Sequence, residues 1–397
     1  MVDILVISHS CFVSVNRLIY RKLAALGWSV EIVIPKQMNF GNCIKTSEAD
    51  SPGDPKIHRL PLLEVHGRFR IYKGLLKLLN LLRPRIVFMD NDHASLLAWM
   101  LGDWARFHNS TLIVQTNDNL IKSLWTEISQ RRITSALGIL VVKLLSDLGK
   151  SNIRHIFAIN SDGVKLLSKM GYAERVSLIP LGYDPNLFYS DDQTRLATRE
   201  QLGLSKITIA YFGRIIPEKG LHLLIQSLAQ LKHLEWQFLL DNFKAYDDSY
   251  YEQLKILIRE NNLESRVVQF DASHKEMPAY INAADIVVVP SLSTHNFKEQ
   301  YGRVAVEAMA CGRLVIASNS GALPEVIGDG GVIIPENNQS SLVNALSKAL
   351  QDMEFRQNIG NLAVKRAINH LSIHRQRDLM AQLFSQILSP SMSNELT

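Results

Sequence analysis

The chain has 397 residues, 47% of them hydrophobic and 20% charged, with a formal net charge of +5. Such a length outgrows one ordinary core and suits two α/β domains, and the apolar content excludes a disordered or fibrous chain. Three cysteines, Cys11, Cys43 and Cys311, make no C-x-x-C pair, which argues against a disulfide framework or zinc site and for a reducing compartment.

The N-terminus, Met1 to His9, carries no basic region ahead of its short apolar stretch, so it reads as a first strand, Asp3–Ile7, and not as a signal peptide. A helix is expected from about Val15 to Leu26, where Leu18, Ile19, Leu23 and Leu26 recur at helical spacing, followed by strand Val30–Ile34. Arg85–Asp90, Thr111–Gln115 and Ile153–Ile159 read as further buried strands, with helix-like Ala94–Met100 after the first of them. This alternation predicts an α/β, doubly wound, Rossmann-like domain over residues 1–185. Ala136–Val142, the most apolar later segment, stops at Lys143, short of the roughly 20 residues a membrane span needs.

Ile179–Phe188, rich in Pro, Gly and Asn, and the polar Tyr189–Thr194 predict a break, with a linker over 186–203. A second domain is expected over 204–373, then a helix from about His374 to Leu388 and a polar tail, Ser389–Thr397. Within the second domain, Ala284–Ser291 and Leu314–Ser318 read as parallel strands flanking a helix. At the head of that helix, Glu299 and Glu307 stand eight positions apart with Gly302 between them. Gly302 permits a tight turn into the helix, leaving the first-turn N–H groups of Arg303 and Val304 to face an anion. Glu299 would reach the head of a ligand and Glu307, about two turns on at roughly 3.6 residues per turn, a part further back. A sugar nucleotide fits such a row: hexose hydroxyls, diphosphate, ribose hydroxyls. Two solvated glutamates on an ordinary helix would give the same spacing, but the βαβ context places the pair at strand carboxyl ends, where ligands bind.

Residues 207–335 resemble the donor-binding half of a retaining GT-B glycosyltransferase of family 4, with the E-x7-E motif at Glu299 and Glu307 and a GR…PEKG loop from Gly213 to Gly220. Pro180 to Phe188 resembles the family's hinge, and a weaker likeness extends over the N-terminal half. The resemblance implies two Rossmann-like domains with an interdomain cleft and a C-terminal helix that crosses back to the first domain. It implies that Glu299 meets the donor sugar and Glu307 the ribose, while Arg214 and Lys219 hold the diphosphate and stabilise it as it leaves. Gly213, Tyr301, Gly302, Arg303 and Val304 complete the expected donor site. No cofactor beyond the nucleotide-sugar substrate is implied. A same-face displacement, in which the leaving phosphate takes the acceptor's proton, requires no side-chain nucleophile, so the absence of a glycosidase-like carboxylate pair counts only against a hydrolase.

By the same likeness the first domain takes the acceptor. Its candidates stand at strand ends: Ser8, His9 and Ser10, with Asn16 on the next helix; Asp90, Asn91, Asp92 and His93; Asn117, Asp118 and Asn119. Ile7 to Cys11 with Asn16 resembles a subgroup with an I-S-H-x-C motif, although the Gly-Gly of many relatives is missing. Where many relatives carry His-Asp after the strand Thr111–Gln115, this chain has Asn117-Asp118, which makes Asp118 the catalytic candidate there. Asp90-Asn91-Asp92 has the form of a metal-binding D-x-D; its place in the first domain argues against a metal, and none is expected.

Charge bears on partners. Residues 1–185 carry a net +8 and the remainder a net −3. His66–Arg85 holds six Lys/Arg and no acid, interleaved with Leu and aromatics; it reads either as a segment lying on an anionic bilayer or as a core-facing helix with solvated cations. No nucleic-acid reader motif accompanies the charge, so nucleic acid is not an expected partner. The expected protein is a metal-independent hexosyltransferase using a UDP- or GDP-sugar and a glycan or lipid-linked acceptor. It would work in cell-envelope or exopolysaccharide assembly, cytoplasmic or peripheral at the inner membrane face. A sugar-nucleotide 2-epimerase and a catalytically silent partner subunit are the rival readings.

Overall fold

The long apolar runs become parallel strands because β-branched residues buried on both faces suit a covered sheet. A computed structural model describes residues 2–39, 44–66, 69–90, 92–120, 133–241 and 248–389. Cys43, Asn91, the Gly67-Arg68 pair of the basic segment and the tail from Pro390 lie outside the described residues. Contacts divide the chain into two units, Met1–Pro180 with Ile373–Thr397, and Leu181–Ser372.

The first unit contains β1 (Ile4–Ser8), β2 (Val30–Pro35), β3 (Gln37–Asn39), β4 (Ile44–Thr46), β5 (Lys56–Leu60), β6 (Leu62–His66), β7 (Phe69–Tyr72), β8 (Ile86–Asp90), β9 (Thr111–Thr116), β10 (Ile153–Ala158) and β11 (Val176–Leu178). Seven of them form one parallel sheet in the order β11-β10-β9-β8-β1-β2-β5, while β3 with β4 and β6 with β7 make small antiparallel pairs. Alternation puts Leu5, Ile7, Val87, Met89 and Val114 on one face, packed with Leu75, Leu79, Leu101 and Trp104 from helices Leu75–Leu82 and Leu96–Phe107. The opposite alternates, Ile4, Val6, Ile32 and Phe88, pack with helices Leu18–Ala24 and Ile373–Leu388. Phe384 of the last helix sits 5.6 Å from the Phe88 ring and 5.7 Å from that of Phe157, so the end of the chain returns to the first unit.

Two expectations are revised. The helix expected from Val15 opens as a 3-10 turn, Ser14–Arg17, before Leu18–Ala24. The cause is Arg17, whose fully buried guanidinium donates to the carbonyls of Cys11, Phe12, Glu48 and Ala49 and lies 3.1 Å from Asp54; holding those carbonyls around one cation fixes a tight turn. The basic segment, read as lying on a bilayer or as a core-facing helix, divides: among its described residues strand β7 precedes helix Leu75–Leu82, whose Leu75 and Leu79 face the core as the second reading has it. The stretch 186–203 is not extended linker, because it holds helix Asp192–Gln201, capped by the Asp191 carboxylate and tied to the second unit by Arg195 and Arg199 on Asp285, at 2.7 and 3.3 Å. An apolar period could not reveal a helix anchored by ion pairs.

The second unit contains β12 (Ile207–Tyr211), β13 (Trp236–Asp241), β14 (Val267–Phe270), β15 (Ile286–Val289), β16 (Leu314–Ser318) and β17 (Val332–Ile334), all parallel in the order β14-β13-β12-β15-β16-β17. Strand order reverses between β12 and β15 here, and between β1 and β8 in the first unit. Open parallel sheets bind ligands beyond the carboxyl ends at such a reversal. Among the described residues no helix is long and apolar enough to cross a membrane.

Candidate functional site

At the reversal of the second unit, the loops after β12 and β15 bring Lys219 and Glu299 together. The Lys219 ammonium lies 2.5 Å from Glu299 Oε2, which also accepts from the Ser291 hydroxyl at 2.8 Å. Both side chains are largely buried, and the ammonium sits 5.2 Å from the Phe297 ring centre. The two loops are joined by the Leu292 amide on the Glu218 carbonyl. A third loop, after β16, supports them: the Ala322 amide donates to the Glu299 carbonyl, and a Cβ on Gly321 would stand 2.0 Å from that oxygen. Only glycine, at φ +53°, allows this approach. Glu336 adds a clamp, taking both the amide and the hydroxyl of Ser293 on its carboxylate. Ser291, Ser293 and Glu336 were not singled out from sequence, and their signal is weak because only pairing across loops marks them.

The helix after Glu299 is Arg303–Ala310, and Gly302 is its N-cap at φ 79° with no side-chain cap over the first-turn amides. A Cβ there would come 2.4 Å from Leu323 Cδ2, so the open cap is dictated by packing as well as by φ. Glu307 faces inward from this helix with 9% of its surface exposed. No donor among the described residues reaches its carboxylate, and burial pushes its pKa up to about 7, against the weaker opposing pull of Arg303. Arg303 and Arg214 are exposed, Val304 is half-buried and Gly213 is half-buried at φ 140°. Tyr301, expected at the donor, has a buried hydroxyl that donates to the Leu181 carbonyl, so its phenol holds the chain near the start of this unit. Cys311 is buried with its thiol pushed up to about 12 by burial, which suits an inert packing residue and not a nucleophile.

At the reversal of the first unit two polar groups form. Asp90 Oδ2 accepts from the hydroxyls of Ser8 at 2.8 Å and Ser10 at 2.5 Å, and its Oδ1 accepts from the Gln115 amide at 3.1 Å. Gln115 was read only as a strand residue; its place opposite Asp90 follows from the β8–β9 register. Next to it, His93 Nδ1 lies 3.8 Å from Asp92 and 3.9 Å from Asp118, with the imidazole almost fully buried. Asp92, His93 and Asp118 each offer an atom within 4.8 Å of the others and are the described residues that could hold a metal. Asp92 also accepts from the Ala94 amide at 3.0 Å, and the Asp118 amide donates to Thr116. Asn117 is exposed at the end of β9. His9 packs at 5.3 Å from the Tyr72 ring with its pKa lowered to about 4, by burial first and then by Arg70, so it is neutral near pH 7. Asn16 donates to the Ser10 carbonyl at 2.8 Å, and so shapes the loop after β1.

Residues 192–366 match the family described as Glycosyl transferases group 1. The matched stretch contains Gly213, Arg214, Lys219, Glu299, Gly302 and Glu307; the first-unit candidates lie outside it. The lipopolysaccharide 1,2-N-acetylglucosaminetransferase of Salmonella typhimurium is 32% identical over 196 residues, which are 47% of this chain and 50% of that protein. The chain thus spans about half the length of the curated relatives it matches. Similarity of fold reaches further. A sucrose-phosphate synthase from Thermosynechococcus elongatus superposes with a TM-score of 0.74 at 22% identity, covering 98% of this chain and 99% of that one. Anabaena HepE in complex with UDP gives 0.73 at 19% identity, covering 97% and 100%. The fold is that of the GT-B glycosyltransferases, with two Rossmann-like domains.

Proposed function

We propose that the protein is a retaining glycosyltransferase that moves a hexose from a UDP- or GDP-sugar to a hydroxyl of a glycan or lipid-linked acceptor. The observation that carries this reading is Glu307, a carboxylate nine-tenths buried at the strand reversal of the second unit, without a protein donor among the described residues. A buried acceptor of this kind is costly unless a ligand supplies hydroxyl donors, and a ribose diol supplies two. Ahead of it, the uncapped first turn of Arg303–Ala310 suits a phosphate. Lys219 then serves two partners. It neutralises Glu299 in the free protein, and with Arg214 it meets the charge that develops on the departing diphosphate. Glu299 keeps its carboxylate for the hexose hydroxyls.

Acceptor recognition falls to the first unit, to His9, Asn16, Asp92, His93, Asn117 and Asp118. Asp118 and Asp92 flank the buried His93 imidazole and orient it as a hydrogen-bonding group, with Asp118 the half-exposed member that meets an incoming hydroxyl. The reaction needs no metal in this reading, since a guanidinium and an ammonium already answer the diphosphate charge. The Salmonella relative's name and the reducing environment suggested by the cysteines favour a role in envelope or exopolysaccharide assembly on the cytoplasmic side.

The test is a thermal-shift panel of UDP-, GDP- and ADP-sugars, followed by acceptor trials with and without chelator. A donor at 100 times its Kd stabilises by about 2.7 kcal/mol, a Tm rise of roughly 5–10 °C for a domain of this size. No response to any sugar nucleotide would favour the silent partner, and nucleotide release without an acceptor would favour the epimerase. Activity abolished by chelator and restored by manganese would overturn metal independence and turn attention to Asp92, His93 and Asp118.

A further inference from the structure

The loop after β15 holds a turn that closes on itself. In this turn, 294–297, the Thr294 amide donates to the Phe297 carbonyl at 2.7 Å, and the Thr294 hydroxyl accepts from the amides of Asn296 and Phe297 at 3.3 and 3.1 Å. A turn satisfied from within keeps its shape without a ligand. Both of its ends are tied down. On one side Ser293 gives its amide and its hydroxyl to Glu336, at 2.5 and 2.6 Å, and the same hydroxyl lies 3.0 Å from that of Ser320. Glu336 is fixed in turn, with its amide donating to Asn319 Oδ1 at 2.8 Å and the Asn319 amide donating to the Ile334 carbonyl. On the other side Glu299 is held by the Ser291 hydroxyl and the Ala322 amide.

This turn presents one side chain to the site. The half-buried Phe297 ring lies under the Lys219 ammonium, 5.2 Å from nitrogen to ring centre, inside the roughly 6 Å reach of a cation–π contact. The contact gains importance when a donor arrives. Sugar hydroxyls that bond the Glu299 carboxylate draw on the same negative charge that holds the ammonium at 2.5 Å, so the ion pair weakens just as Lys219 has to meet the diphosphate. A lysine is a compact cation on a flexible stem and loses its aim readily. An aromatic face holds the cation without cancelling its charge, whereas leucine would fill the same space without attracting it. We propose that Phe297 is a positioning residue of the donor site, keeping the Lys219 ammonium aimed at the departing diphosphate once Glu299 engages the sugar, with Glu336 holding the turn that presents the ring. The proposal rests on the donor-site reading of Lys219 and Glu299 and adds to it two residues that reading leaves without a role in the reaction.

Lysine isotope-labelled at Cε reports the contact by NMR in the full-length protein. The Lys219 signal, assigned by its loss in Lys219→Ala, should lie upfield through the ring current and stay there when UDP-glucose or GDP-glucose is added. It should move to the ordinary lysine position in Phe297→Leu and part of the way in Glu336→Gln. With the donor that responds, Phe297→Leu should lower kcat about five- to thirtyfold, while the donor KM stays within about twofold because the charge on Lys219 remains. Phe297→Tyr should restore kcat. Phenylalanines fluorinated in steps at position 297 weaken the ring face with little change of shape, so kcat should descend with each fluorine, whereas a packing role would leave it level. These analogues also stand in for Phe297→Leu should that variant melt early. An unshifted Lys219 signal in the parent, a signal that leaves the ring when the donor binds, or unchanged kcat in Phe297→Leu or across the fluorinated series overturns the inference. A silent donor panel beside an upfield Lys219 signal would sink the donor-site reading and leave the ring contact standing. A donor response beside an unshifted signal would sink the Phe297 assignment alone.

Discussion

Lys219→Ala is expected to cost both turnover and stability. Lys219 and Ser291 converge on Glu299 Oε2 at 2.5 and 2.8 Å, and Glu299 is 7% exposed. Deleting the ammonium removes a cation that lies 2.5 Å from that buried carboxylate. One-sided loss of a fully buried pair costs roughly 3–5 kcal/mol; because the Lys219 side chain retains 19% exposure, about 2–3 kcal/mol is the better expectation. Turnover should fall by about a thousandfold, as when one donor to a developing anion is deleted. Adding Glu299→Gln removes the stranded charge, so the double variant should regain most of the stability and none of the activity. Urea denaturation of both single variants and the double variant closes the cycle. Independent, additive stability losses would show that the pair is not coupled. Full activity in Lys219→Ala would remove it from the reaction. Arg214, exposed and without an ion pair among the described residues, makes the control: Arg214→Ala should lose activity with stability nearly unchanged.

Glu307→Gln should trade binding for stability, and the trade should depend on pH. The folded-state pKa of Glu307 is pushed up to about 7 by burial, above the 4.5 of an unperturbed glutamate. A raised folded value means that this group's contribution is fully present below pH 4.5 and is lost as pH rises through about 7, because the buried carboxyl must then ionise with no hydrogen-bond donor among the described residues and only the weaker pull of Arg303. The glutamine variant has no such proton to lose. Its stability relative to the parent should therefore rise between pH 5 and pH 8 by up to about 3 kcal/mol, whatever fixed cost the amide brings. Donor affinity should move the other way, since an amide is a poorer acceptor for a diol than a carboxylate. A loss of roughly tenfold or more corresponds to a single charged hydrogen bond. Paired melting curves across pH, with and without nucleotide, test both halves. A stability difference flat in pH would refute the raised pKa of this buried carboxylate. A variant binding nucleotide as tightly as the parent would refute the ribose assignment.

Much of this site was legible because its spacing is local. Glu299 and Glu307 are held by one turn and one helix, and Gly302 announces that turn. The strands flanking the helix are continuous apolar runs, which is how doubly covered parallel strands read. Legibility failed where the deciding contact lay far along the chain. Lys219 and Glu299 are 80 residues apart, and nothing local says that their charges meet. The hydroxyl of Tyr301 bonds a carbonyl 120 residues earlier, and no neighbour in sequence announces that partner. Helix Asp192–Gln201 hid inside a polar stretch because arginines and Asp285 anchor it in place of an apolar stripe. His93 offered no signal for its burial between Asp92 and Asp118, which come from the ends of different strands.

The sequence by itself determined the alternation of strand and helix, the Rossmann-like fold class and a candidate row of residues for a nucleotide. Period, glycine placement and hydrophobic runs act over a few residues, so they are written locally. Only the tertiary structure decided which of those residues are charged partners, which hold loops, and that Glu307 is a buried carboxylate with no hydrogen-bond donor among the described residues. Those properties belong to desolvation and to pairing across strand ends, and both come into being only when the sheets assemble.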